Sequence, residues 1–188
     1  MSQPDVPVIV EILERHFEEL VFLCDLCAEA VRSPYYVIGD LADLDRRIEA
    51  HMDGLLVGRE ATLAVIEEGL AGGEPPVVFA AAWVLLRMRT EAAAEHLWDA
   101  LIQAEAEPSA GFRAALCRGP IDMIRDRLKE AVLSAPAAVA VVAAEALAAQ
   151  HRLDPKTDRL SDWFENENSE VRRAAWRIAA LLDSHSRV

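Results

Sequence analysis

Apolar residues recur at helical spacing along the whole chain, and nowhere do they alternate with polar ones over the length of a strand. The first run predicts a helix from about Asp5 to Arg32. Ile9, Leu13, Leu20, Leu23, Cys24, Cys27 and Val31 share its apolar face, Asp5 is placed to cap it, and Ser33-Pro34 ends it. A short connection leads to Gly39. Asp40 then caps a second helix with Leu41, Leu44, Ile48, Met52 and Leu55 on one face, ended by Gly54 or Gly58. From Arg59 onward the punctuation is regular. Gly72-Gly73-Glu74-Pro75, Glu107-Pro108-Ser109, Ser134-Ala135-Pro136 and Asn166-Glu167-Asn168-Ser169 are turn signals, each between two helices. Thr90, Gly119-Pro120 and Lys156-Thr157-Asp158 mark the returns. Outer helices are expected from Arg59, Glu91, Pro120 and Lys156, inner ones from Pro75, Ser109, Ala135 and Ser169. The expected fold is all-α, an α-α superhelix of antiparallel hairpins with about ten helices and no sheet.

The inner helices carry Ala pairs: Ala81-Ala82, Ala114-Ala115, Ala143-Ala144 and Ala174-Ala175, at spacings of 33, 29 and 31 residues. Two adjacent small residues let a helix press closely on its neighbours. The preceding helices carry large residues instead, Ile66, Trp98, Ile124 and Trp163. A period near 30 with two helices per unit predicts a stacked solenoid, because one hairpin alone cannot bury both of its faces. The predicted organisation is an N-terminal helical hairpin over 1–57, then units over 58–89, 90–119, 120–152 and 153–188.

Asn168-Ser169-Glu170-Val171-Arg172-Arg173-Ala174-Ala175-Trp176-Arg177-Ile178-Ala179 resembles the second helix of a HEAT repeat: a cap, then Val-Arg, then small residues. The other units depart from that pattern, with Gly111 and Ala140 standing where Val171 stands in the last. The short period resembles the compact bacterial type, as in phycobilisome-lyase-like arrays. A second resemblance lies in Asp43-Leu44-Asp45-Arg46-Arg47-Ile48-Glu49-Ala50-His51-Met52-Asp53-Gly54-Leu55, followed by Gly73-Glu74 and an Ala-rich helix. This is similar to an uncharacterised proteobacterial HEAT-like family whose genes often lie near type VI secretion clusters. Its longer members extend beyond this length, so the chain reads as a short member or an N-terminal fragment. The resemblance brings no catalytic residues with it.

Composition adds an asymmetry. The net charge is −13, and residues 1–107 carry 7 basic and 21 acidic side chains against 12 and 11 in residues 108–188. An acidic field repels nucleic acid and anionic lipid, since phosphate contacts supply most of that affinity. It serves solubility, or it faces a basic partner. The start has no basic segment followed by an apolar one, as a secretory signal would, and the longest apolar stretch, roughly Pro75–Leu86, is too short to cross a bilayer. A cytoplasmic location is expected.

Candidate chemistry is sparse. Cys24 and Cys27 form a Cys-x-x-Cys, but both fall on the apolar face deep within a helix, whereas a redox pair needs a helix N-terminus to lower a thiol pKa. Cys117 is the one other cysteine, too few for a zinc site without further ligands. His16 and Glu19 could supply two metal ligands with nothing to complete the set, and the histidines read as surface or rim residues. No phosphate loop or nucleophile motif is present. We therefore expect no catalysis, metal or cofactor.

Contact residues are the remaining candidates. Phe22 interrupts a polar stripe of Glu11, Glu14, Arg15, Glu18, Asp25, Glu29 and Arg32, so it packs on the second helix or meets a partner. Arg172, Arg173 and Arg177 are the densest basic group, and they bind an acidic partner or tie one repeat to the next. Trp176 lies about 140° from Val171 on the last helix, so it tucks against Trp163 or offers a contact surface. The expected function is a non-catalytic protein-interaction scaffold or adaptor, for a protein partner or a second copy, accessory to type VI secretion or its effectors. The alternatives are an immunity protein neutralising a basic toxin, or a lyase-like enzyme on the same scaffold.

Overall fold

The computed structural model describes residues 9–104, 109–154 and 159–185, and among them it contains ten α-helices and no strand. They are α1 (Val10–Ala30), α2 (Ile38–Gly58), α3 (Glu60–Gly72), α4 (Pro75–Met88), α5 (Glu91–Gln103), α6 (Ser109–Arg118), α7 (Arg125–Ser134), α8 (Ala137–Ala149), α9 (Arg159–Phe164) and α10 (Ser169–His185). The inner helices stack in succession, α4 on α6, α6 on α8 and α8 on α10, while α1 packs on α2, α3 and α4. One contiguous apolar core runs from Leu13 to Ile178. Ala81, Ala82, Ala115, Ala143, Ala144, Ala174 and Ala175 are all buried, the role the Ala pairs predict for an inner layer, while Ala114 is only half-buried.

Several boundaries differ from expectation. Asp5, Lys156, Thr157 and Asp158 lie outside the described residues, as do Glu107 and Pro108. Ile9 and Val31, expected on the apolar face of the first helix, flank α1 and are exposed. Asp40 sits inside α2 rather than ahead of it. Its carboxylate reaches back to accept the Val37 N–H at 3.0 Å, so the helix begins at Ile38. Gly54 does not end α2. Its missing side chain makes room for the His16 imidazole, which a Cβ there would meet at 2.7 Å. α7 starts at Arg125 rather than Pro120, because Ile121 and Ile124 are both buried in the turn before it. α8 starts at Ala137, two residues later than expected.

Helix ends are satisfied from the next unit along the chain. The last carbonyls of a helix lack intrahelical donors. The Gln150 amide donates to Leu116 O and Gly119 O at the end of α6, and the Arg159 guanidinium to Val132 O and Ala135 O at the end of α7. Ion pairs tie the units further: Arg87 forks onto Glu49 between α4 and α2, and Arg127 reaches Glu91 between α7 and α5.

Gly111 lets α6 approach the backbone of α4. A Cβ there would lie 2.5 Å from Pro75 O, 2.7 Å from Val78 Cβ and 2.9 Å from Phe79 N. Two of those atoms are backbone, so α4 itself would have to move. Gly111→Ala gains about 1 kcal/mol of helix propensity. Overpacking costs about 1–3 kcal/mol, here at the upper end. We expect a net loss of about 2 kcal/mol in urea unfolding. Unchanged or raised stability would show that α4 and α6 can separate freely.

Candidate interaction surfaces

The exposed apolar residues are unevenly distributed. Among the described residues, Ile9, Val10, Ile12, Phe22, Val31, Tyr35, Tyr36, Val37, Ile38 and Val57 are large, apolar and exposed on the N-terminal hairpin, against only Ile102, Met123, Leu133 and Trp176 elsewhere. Phe22 is 59% exposed, so it does not pack on α2. Glu18 and Asp25 flank it on the same side of α1, both exposed. The junction of α1 and α2, expected as a short connection, carries Tyr35 at 90% exposure, and Ile38, which opens α2, is 87% exposed. The run Tyr35-Tyr36-Val37-Ile38 at this junction is the signal in the sequence.

A cleft of about 700 Å³ opens between α1, α3 and α4. Phe17, Val65, Gly69 and Val77 supply its apolar surface, and Glu14, Glu18 and Glu68 its carboxylates. Gly69 keeps the floor low: a Cβ there would press on Val77 Cγ1 at 3.0 Å and on the Phe17 ring at 3.2 Å.

At the other end the arginine group is engaged internally. Arg177 donates from Nε and Nη2 to the two carboxylate oxygens of Glu145 at 2.8 and 3.0 Å, and Arg113 Nη1 donates to Glu145 Oε1 at 3.1 Å. Arg172 donates to the carbonyls of Asn166 and Glu167, and Arg173 pairs with Glu170 one turn earlier on α10. Of the two readings of this group, tying one repeat to the next describes Arg177. Glu145 is buried, and sequence reasoning missed it as a lone acid in an Ala-rich helix. Its spacing was the signal: Arg113, Glu145 and Arg177 are 32 residues apart, in step with the repeat. Trp176 is 68% exposed and leans on Phe164, with centroids 4.6 Å apart, not on Trp163, which is buried.

The thiols are held in their protonated form. Burial, aided by Cys27, pushes Cys24 up to about 12, and burial with the Glu145 charge pushes Cys117 up to about 11. No group of three or more His, Cys, Asp or Glu among the described residues is placed to hold a metal ion. No helix among them is long and apolar enough to cross a membrane.

His16 and His51 do meet, which their sequence separation hid. Their Nδ1 atoms are 3.0 Å apart and the rings lie edge to face. Burial and then His16 push the His51 pKa below its usual 6.5, against an upward pull from Glu19. The unfolded chain therefore binds this proton more readily than the folded one. That contribution to stability is complete above the unfolded value of about 6.5 and is lost as pH falls below it through the lower folded value. His51→Gln should flatten the melting temperature between pH 7.5 and 5 relative to the parent, followed by circular dichroism. Superimposable profiles would show that His51 does not resist protonation in the folded chain.

No protein-family model matches this chain, and neither does any curated protein or solved structure.

Proposed function

We propose that this chain is a non-catalytic protein-interaction scaffold with a basic partner, and that its contact surface lies on the N-terminal hairpin. One observation carries the reading: the exposed apolar side chains are concentrated on the same part of the chain as the negative charge. Exposed apolar side chains grouped on one pair of helices supply contact area for a partner. Charge around them steers a partner of opposite sign and suppresses wrong ones. The thiols, held protonated by burial, are poor nucleophiles, which favours binding over chemistry. The resemblance of the Asp43–Leu55 block extends the reading to an accessory or adaptor of type VI secretion or its effectors. The acidity suits an immunity protein equally if the basic partner is a toxin, and the neighbouring genes separate these two roles.

The test is affinity capture on the immobilised chain from a lysate of cells that encode it, followed by reconstitution with the purified partner. A basic protein should be retained at about 0.15 M salt, released at about 0.5 M, and form a defined complex in sedimentation. Retention of no protein above bare resin overturns the reading.

A further inference from the structure

We propose that the cleft between α1, α3 and α4 is the docking site for a partner segment that presents an apolar side chain between lysines or arginines. The proposal rests on the scaffold reading and gives it a location. The apolar floor comes first. Phe17, Val65 and Val77 line a concavity of about 700 Å³, large enough for more than one side chain, whereas the exposed apolar residues of the hairpin do not line it.

The rim selects the occupant. Glu14 and Glu18 stand one turn apart on α1, and Glu68 faces them from α3. None of the three forms an ion pair among the described residues, whereas Glu49, Glu91, Glu145 and Glu170 all do. Three unpaired carboxylates around an apolar floor repel an acidic segment, and a purely aliphatic one would desolvate them with no compensating partner. They accept an apolar side chain with a cation on either side, whose methylenes also cover apolar surface. Phe22, one turn beyond Glu18 and exposed, extends the apolar contact along α1. A second copy of this chain is a poor occupant: most of its exposed apolar residues sit in the acidic half, and Arg172, Arg173 and Arg177 around its exposed Trp176 already have internal partners.

The probe is a synthetic acetylated peptide of twelve residues in which each of three leucines is flanked by lysines. A matched peptide replaces the leucines with serine. Binding is read by fluorescence anisotropy at about 0.15 M salt. The chain carrying Glu14→Gln, Glu18→Gln and Glu68→Gln is compared with one carrying Glu60→Gln, Asp99→Asn and Glu130→Gln, all exposed sites away from the cleft. The two lose equal charge. Circular dichroism checks that both remain folded. We expect the cleft variant to weaken binding about tenfold and the remote variant less than about twofold. The serine peptide should bind the parent about tenfold more weakly than the leucine peptide, and Phe22→Ser should lower affinity without lowering the melting temperature.

Equal losses in the two charge variants would mean attraction by the general field, and would overturn the proposal. So would equal binding of the leucine and serine peptides, or no saturation up to about 1 mM. A natural partner that binds the cleft variant undiminished would overturn the cleft while leaving the scaffold reading intact.

Discussion

Trp163→Ala is expected to lower the free energy of unfolding by about 3–5 kcal/mol, whereas Trp176→Ala should lower it by about 1 kcal/mol. The two residues share a chemistry and differ in surroundings. Trp163 on α9 is 1% exposed and is the largest fully buried side chain, so its removal leaves a cavity between α9 and the inner layer. Arg159 lies over its ring at 5.6 Å while donating to the end of α7, and truncation would loosen that clamp as well. Trp176 touches Phe164 but leaves most of its surface in water. A third variant separates packing from polarity. The Trp163 indole N–H has no hydrogen-bond partner. Leaving a buried donor unsatisfied costs about 1–3 kcal/mol, so Trp163→Phe removes a penalty along with some ring area and should change stability by less than about 1 kcal/mol. Urea unfolding of the three variants measures all of this. Equal losses for the two alanine variants would place Trp176 in the core.

The same contrast shows what was legible in the sequence. The period was, since Ala pairs near every thirtieth residue can stack only as a layer, and that layer is α4, α6, α8 and α10. Gly111 was visible as a departure from the repeat, but its reason was not. It lies in a distance to the backbone of α4, which no local pattern encodes. Helix starts slipped where a side chain acts away from its expected position, as with Asp40 reaching back to Val37, or where tertiary burial of Ile121 and Ile124 outweighed the Gly-Pro signal. Among the candidate contact residues, the helical wheel puts Phe22 and Trp176 off the core faces of their helices but leaves open whether a neighbouring helix covers them, because spacing determines one face of an amphipathic helix and not what packs on the others. It could not show that Phe17, Val65 and Val77 come together, or that His16 meets His51, since those contacts depend on how α1 crosses its neighbours. Nor could it show which arginines already have partners.

That last distinction makes Glu145 the second site of large effect. Arg113→Ala and Arg177→Ala are each expected to be tolerated, at about 1–2 kcal/mol, because either substitution leaves Glu145 one guanidinium. The double variant should cost about 3–5 kcal/mol, more than the two single losses combined, because it strands a buried carboxylate. The upper value is tempered by water reaching the site, since the two arginine side chains are 32% and 39% exposed and their truncation opens the path further. Adding Glu145→Leu to the double variant should recover most of the loss, because an apolar side chain of similar size suits the all-buried run Ala140–Ala148. This rescue separates two roles for the arginines. If their work is to neutralise Glu145, the triple variant regains stability and keeps its partner. If Arg177 also contacts a partner, the triple variant regains stability and still fails to bind. Strict additivity of the two single substitutions in urea unfolding would mean that Glu145 does not couple them.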